Sequence, residues 1–188
     1  MPVRDCNPRA SERAATDDLL FLTPVVSTPM AVYKRRVRVA APLDEVWEFH
    51  SRIEGLEALT PEWMGLTVEG VRGPDGEEDP DVLDTGTEIR MAMQPLGVAP
   101  KQQWTSVIVE READGESPWF RDEMAGGPFP KWVHTHEFYG DGDETIVSDT
   151  VEYELPGGEL GRAMSPFGRV GFEPMFRYRH EKTKELLG

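Results

Sequence analysis

The chain has 188 residues and a mass of 21.2 kDa, room for one domain of ordinary size, or one domain and a tail. Hydrophobic residues make up 38%, enough for a core, which excludes wholesale disorder. Twenty basic side chains face 35 acidic ones, and a net charge of −15 with a pI near 4.7 excludes a generic basic surface for nucleic acid or an anionic membrane. No run approaches the ~18 apolar residues of a membrane helix, so no stable membrane insertion is expected.

Cys6 is the single cysteine, which rules out an internal disulfide and a Cys-x-x-Cys pair. Residues 19–30 (LLFLTPVVSTPM) are briefly apolar, but Asp17 and Asp18 precede them and Pro24 and Pro29 interrupt them. A secretory signal has a basic start and an unbroken apolar stretch, so a cytoplasmic protein is expected. Residues 1–29 hold four prolines, few aromatics and no sustained period, and read as a flexible leader. Met30 is a second candidate start, and the folded unit is predicted over 31–187. Deleting 1–29 is expected to change the unfolding free energy by less than about 1–2 kcal/mol in urea denaturation. A larger fall would show the leader packed on the domain.

Residues 32–39 are β-branched and aromatic in part and predict a strand. Pro42, with Asp44 and Glu45 behind it, opens a short helix bearing Leu43, Val46, Trp47 and Phe49. A second short helix over about 53–59 places Ile53, Leu56 and Leu59 together and stops before Pro61. Six strands follow, at about 66–72, 87–94, 102–111, 118–125, 131–139 and 145–155, separated by glycine, proline or acidic turns. The glycines at 126, 127, 157, 158 and 161 read as turn residues, matching no dinucleotide or phosphate-loop signature. Phe172, Met175, Phe176, Arg179, Thr183, Leu186 and Leu187 recur at three- and four-residue steps, the period of a long amphipathic helix with Pro174 in its first turn or at a kink. Consecutive strands with short connections imply an antiparallel sheet, and the segregated helices make the class α+β.

The acids are spread along the chain. The bland reading is a surface kept hydrated in concentrated salt, which points to a halophile. Asp75 to Asp84 is densest in acids, but lacks the glycine and final glutamate of a calcium loop, so a solvated insertion is expected.

That element order, with PLDEVWEFH after the first strand, WTSVIVE in a middle strand, GPFPKWVHTHEF leading to DTVEYELP, and MFRYRH near the end, resembles the START-like helix-grip superfamily. It is most similar to the uncharacterised bacterial and archaeal branch grouped with polyketide cyclase/dehydrase-like and coenzyme-transport-like proteins. The resemblance spans about 31–187. It implies a curved seven-stranded antiparallel sheet wrapped on the C-terminal helix, with an apolar cavity between them. For function it implies only a range, from carriers and receptors to cyclases.

Alternation supplies the side chains that would line such a cavity. Met91 and Met93 share a face of one strand with Ile89, and Trp104 shares another with Ser106 and Ile108. Trp132, His134, His136 and Phe138 form a third set, and the helix offers Phe172, Met175, Phe176 and Arg179. Such stripes commonly pack as solid core. Flexible methionines and large aromatics converging from sheet and helix also suit a pocket, which the resemblance favours. Trp63 and Met64, in the 56–65 region, would gate it.

His134 and His136 point the same way and could hold a metal only if His50, His180 or an acid completed the set. Two hydrogen-bonded histidines in a partly polar cavity are the commoner outcome, so neither metal nor cofactor is expected. The Asp141-Gly142 pair predicts a two-residue hairpin loop, setting Trp132 opposite Val151, His134 opposite Asp149, His136 opposite Val147 and Phe138 opposite Thr145. Asp149 and His134 are then a buried structural pair or an acid–base device. Asp122 and Glu123 are weaker acid candidates, their facing undetermined.

The expected function is binding or carrying a small hydrophobic or amphipathic molecule. The alternatives are a cyclase- or dehydratase-type enzyme using His134, His136 and Asp149, and a non-catalytic interaction module with a filled core.

Overall fold

The computed structural model describes residues 30–188, except the Arg162 side chain. The expected leader, 1–29, lies outside them. β1 (Ala31–Val39) leads into α1 (Leu43–His50) and α2 (Ile53–Ala58). The strands β2 (Leu66–Arg72), β3 (Glu88–Met93), β4 (Gln102–Glu112), β5 (Trp119–Gly126), β6 (Lys131–Asp141) and β7 (Glu144–Glu154) follow, then α3 (Gly158–Met164) and α4 (Arg169–Leu187). The seven strands form one antiparallel sheet in the order β1-β7-β6-β5-β4-β3-β2. Register breaks between Val68 and Gly70 and between Ile108 and Glu110 add local bend and twist to this curved sheet. The long α4 packs along β1, as the helix-grip expectation required. Among the described residues no helix is long and apolar enough to cross a membrane.

Three local expectations are corrected. The β6–β7 loop is Gly142-Asp143, one residue later than predicted, so Asp141 faces Glu144 and each predicted partner moves by two residues along β7. Gly142 has φ 67° while Asp143 does not enter the left-handed region, which matches a loop with glycine first. Trp132 therefore faces Tyr153, His134 faces Val151, His136 faces Asp149 and Phe138 faces Val147. Because a two-residue move preserves parity, every side chain keeps its predicted face.

The second correction is α3, read from sequence as turns. Gly158 opens it and Gly161 lies within it. A Cβ at Gly161 would meet the carbonyl oxygens of Pro156 and Leu155 at 2.3 and 2.4 Å, so the glycine permits a close helix–strand approach rather than a turn. The third is Pro174, which lies in the second turn of α4, outside the first turn that is one of the two places expected for it.

Two apolar clusters form the core. One gathers Val39, Val46, Ile108, Phe120, Phe138 and Val147 beneath α1. The other gathers Tyr33, Val151, Tyr153, Phe172 and Phe176 where α4 meets β1 and β7. Reading along β6, Trp132 belongs to the second cluster and Phe138 to the first, with His134 and His136 between them. Along β7, Asp149 lies between Val147 and Val151 in the same way. The fold thus inserts one polar layer between two apolar ones.

Candidate functional site

That layer is a network of three imidazoles on one carboxylate. Asp149 is 2% exposed. His134 Nε2 donates to its Oδ1 at 2.9 Å, and His180 Nε2, reaching in from α4, donates to its Oδ2 at 2.5 Å. His134 is the diagonal cross-strand neighbour of Asp149, so the predicted contact forms without the predicted facing. His136 Nδ1 also approaches Oδ1 at 2.9 Å, but without hydrogen-bond alignment. On the other side of the two rings stands Asp122, whose Oδ2 lies 3.7 Å from His134 Nδ1 and 3.6 Å from His136 Nε2. Ser106 Oγ donates to its other oxygen at 2.9 Å. Each of the two imidazoles therefore turns one nitrogen to Asp149 and the other to Asp122.

Packing fixes the rings. Phe120 stacks on His136 at 4.3 Å, and Phe176 meets His134 edge-on at 5.2 Å. The two imidazoles lie 3.8 Å apart, tilted by 44°. Burial would raise the Asp149 carboxyl, but the bonds from His134 and His180 and the close approach of His136 hold it well below the usual range. Burial likewise opposes the Asp122 charge, which His136 and His134 restore, so this carboxyl is lowered too. His134 is lowered by burial and by its neighbour His136. Burial also disfavours charge on His136, but the Asp122 and Asp149 carboxylates outweigh it and raise that imidazole. Since 3.6 Å exceeds hydrogen-bond length and the 2.9 Å contact is unaligned, the field of two carboxylates carries this effect.

The network forms one wall of a cavity of about 140 Å³ between sheet and α4. Of the predicted lining residues, Met91, Trp104, Trp132, His134, His136 and Phe176 are there. Four are not. Phe138 is fully buried against Trp47 and His50, since α1 covers that end of β6. Phe172 fills the second cluster against Trp132 and Tyr153. Met93, at the end of β3, is absent from the walls, and Trp63 is 45% exposed. Met64, with Leu56, Leu59 and Pro61, supplies the wall assigned to that segment.

Sequence reasoning left out Phe120, Met124 and His50, which also line the cavity. It left Asp122 unplaced and gave His180 no carboxylate. Asp122 is the cross-strand partner of His134, an alternation that needs the β5–β6 register. His180 was accessible to sequence, because it continues the buried stripe Phe172, Phe176, His180, Thr183 at helical spacing.

The chain was compared with known proteins. The family model described as "Polyketide cyclase / dehydrase and lipid transport" matches residues 39–175. No curated protein matches. Among solved structures, truncated norcoclaurine synthase from Thalictrum flavum is 22% identical with a TM-score of 0.60, covering 86% of this chain and 95% of its own. Zhui aromatase/cyclase from Streptomyces sp. R1128 is 15% identical at 0.58, covering 84% and 93%. Ginseng major latex-like protein 151 from Panax ginseng is 10% identical at 0.58, covering 85% and 99%. At these identities the likeness is one of fold.

Proposed function

Because the chain belongs to the polyketide cyclase / dehydrase and lipid transport family, we propose that it binds a small hydrophobic or amphipathic molecule in the cavity between its sheet and α4. The observation that carries this is the cavity's two-sided chemistry. Met91, Trp104, Leu59 and Phe176 form apolar walls, and Asp122, His134 and His136 form a polar end. An apolar body with one hydrogen-bonding head suits such a space. A void of about 140 Å³ is of the size that takes one benzene-sized ring. A longer ligand needs the wall at Leu59–Met64 to move outward. The acid excess over the whole sequence suits a surface that stays hydrated in concentrated salt.

Native mass spectrometry of the gently purified protein is expected to show one retained small molecule per chain. Met91→Phe tests whether the space is used. Met91 is 6% exposed on the cavity wall, so the larger ring can enter the void. The expected loss of stability is under about 1 kcal/mol, against the roughly 1–3 kcal/mol of overpacking a filled core. Retention of the molecule should fall sharply. Severe destabilisation with retention unchanged would favour the filled-core interaction module.

The buried His–Asp network favours a second reading, a cyclase- or dehydratase-type enzyme in which His134, His136 and Asp149 move protons. Loss of turnover in His134→Ala with ligand retention intact would support it.

A further inference from the structure

We infer that Asp122, His134 and His136 form a site for a divalent first-row transition ion, set in the cavity wall at the polar end of the proposed ligand space. His134 Nδ1, His136 Nε2 and a carboxylate oxygen of Asp122 all lie within 4.8 Å of one another. Their separations from Asp122 Oδ2, 3.7 and 3.6 Å, are close to the spacing a metal imposes. Ligands at about 2.0–2.1 Å in tetrahedral array stand about 3.3–3.4 Å apart, so each imidazole–carboxylate separation needs to contract by only a few tenths of an ångström. Sequence alone left the His134-x-His136 pair short of a third ligand. Among the described residues neither His50 nor His180 joins the cluster whose ligand atoms lie within reach of one ion. Asp122 does.

The surroundings are those of a ligand set rather than of an ordinary polar contact. The nitrogens facing Asp122 are too far from it to hydrogen-bond, so burial has brought them together without pairing them. Their opposite nitrogens face Asp149, the carboxylate-on-histidine arrangement that orients metal-bound imidazoles. Ser106 holds the far oxygen of Asp122 in the same manner. Charge agrees. Asp122 and Asp149 face one arginine of the cavity, Arg179, whose guanidinium feels both carboxylates. Two carboxylates against one guanidinium leave one negative charge, which a proton on His136, or a cation in its place, balances. Two imidazoles and one carboxylate select a transition ion over calcium or magnesium. All three ligands line the cavity, so the remaining coordination positions open into it.

Cobalt(II) titration of the untagged full chain carrying Cys6→Ser, which removes its single thiol, tests the site. One equivalent should give the visible absorption of a four- or five-coordinate ion. Cobalt should also shift the ring resonances of His134 and His136. Asp122→Asn keeps the shape of the side chain and the Ser106 bond, and should weaken binding at least ten-fold. Asp149→Asn, acting through the imidazoles, should weaken it about 10–100-fold. Glu123→Gln, on an exposed neighbour, should leave it unchanged. Absence of a saturable cobalt spectrum, or an unchanged dissociation constant in a folded Asp122→Asn chain, would overturn the proposal.

Discussion

Replacing Asp149 with alanine is expected to lower the unfolding free energy by about 3–5 kcal/mol, the cost of removing one member of a buried charged network. The size follows from position. Asp149 lies between Val147 and Val151 with almost no exposure, and three imidazoles converge on its two oxygens. Alanine leaves the buried donors of His134 and His180 without the acceptor they share. Asp149→Asn should cost less, since one oxygen still accepts from an imidazole while the amide nitrogen meets another donor. Urea denaturation of the three chains at neutral pH measures both differences. An Asp149→Ala chain within about 1 kcal/mol of the parent would show that the network adds no stability.

The inward set on β6 was legible because it needs only alternation, and alternation survives a register error. The Asp141-Gly142 signal placed the loop one residue early, so each predicted partner was wrong while each predicted face was right. Asp149 still reaches His134, because a diagonal neighbour on an antiparallel pair lies within range of a long side chain. Depth was not legible. Phe138 and Trp132 both face inward from β6, yet one is sealed under α1 and the other borders a void beside α4. No period in a strand records that cover. Trp63 belongs to a three-residue helical turn, too short for a pattern, and its neighbour Met64 takes the inward place instead. α3 was hidden by its own glycines, which local rules assign to turns, although at Gly161 it is the close approach of the Leu155 and Pro156 carbonyls that requires one.

The second large effect is expected at His50, in the pH dependence of stability. This side chain ends α1, is 8% exposed, and donates from Nδ1 to the Val46 carbonyl at 2.7 Å. Burial pushes its pKa down to about 3 from the ordinary 6.5, with the charges of His136 and Arg179 adding to the effect; the Val46 bond and Asp149 oppose it. The native protein therefore holds His50 neutral over a range in which the unfolded chain charges it. Below about pH 6.5 the unfolded state takes up a proton that the native state refuses, so stability falls with falling pH until about pH 3. Above pH 6.5 both states are neutral and the contribution is flat. The slope approaches about 1.4 kcal/mol per pH unit, and across the window the loss is of the order of 5 kcal/mol. His50→Gln removes the titration and keeps a donor for the Val46 carbonyl. Its stability at pH 7.5 should lie close to the parent's, while its decline between pH 6 and pH 4 should be shallower by nearly one proton's slope. The carboxylates and His136 titrate alike in both chains, so the difference isolates His50. Parallel pH profiles would show that this imidazole is hydrated, or charged, in the native protein.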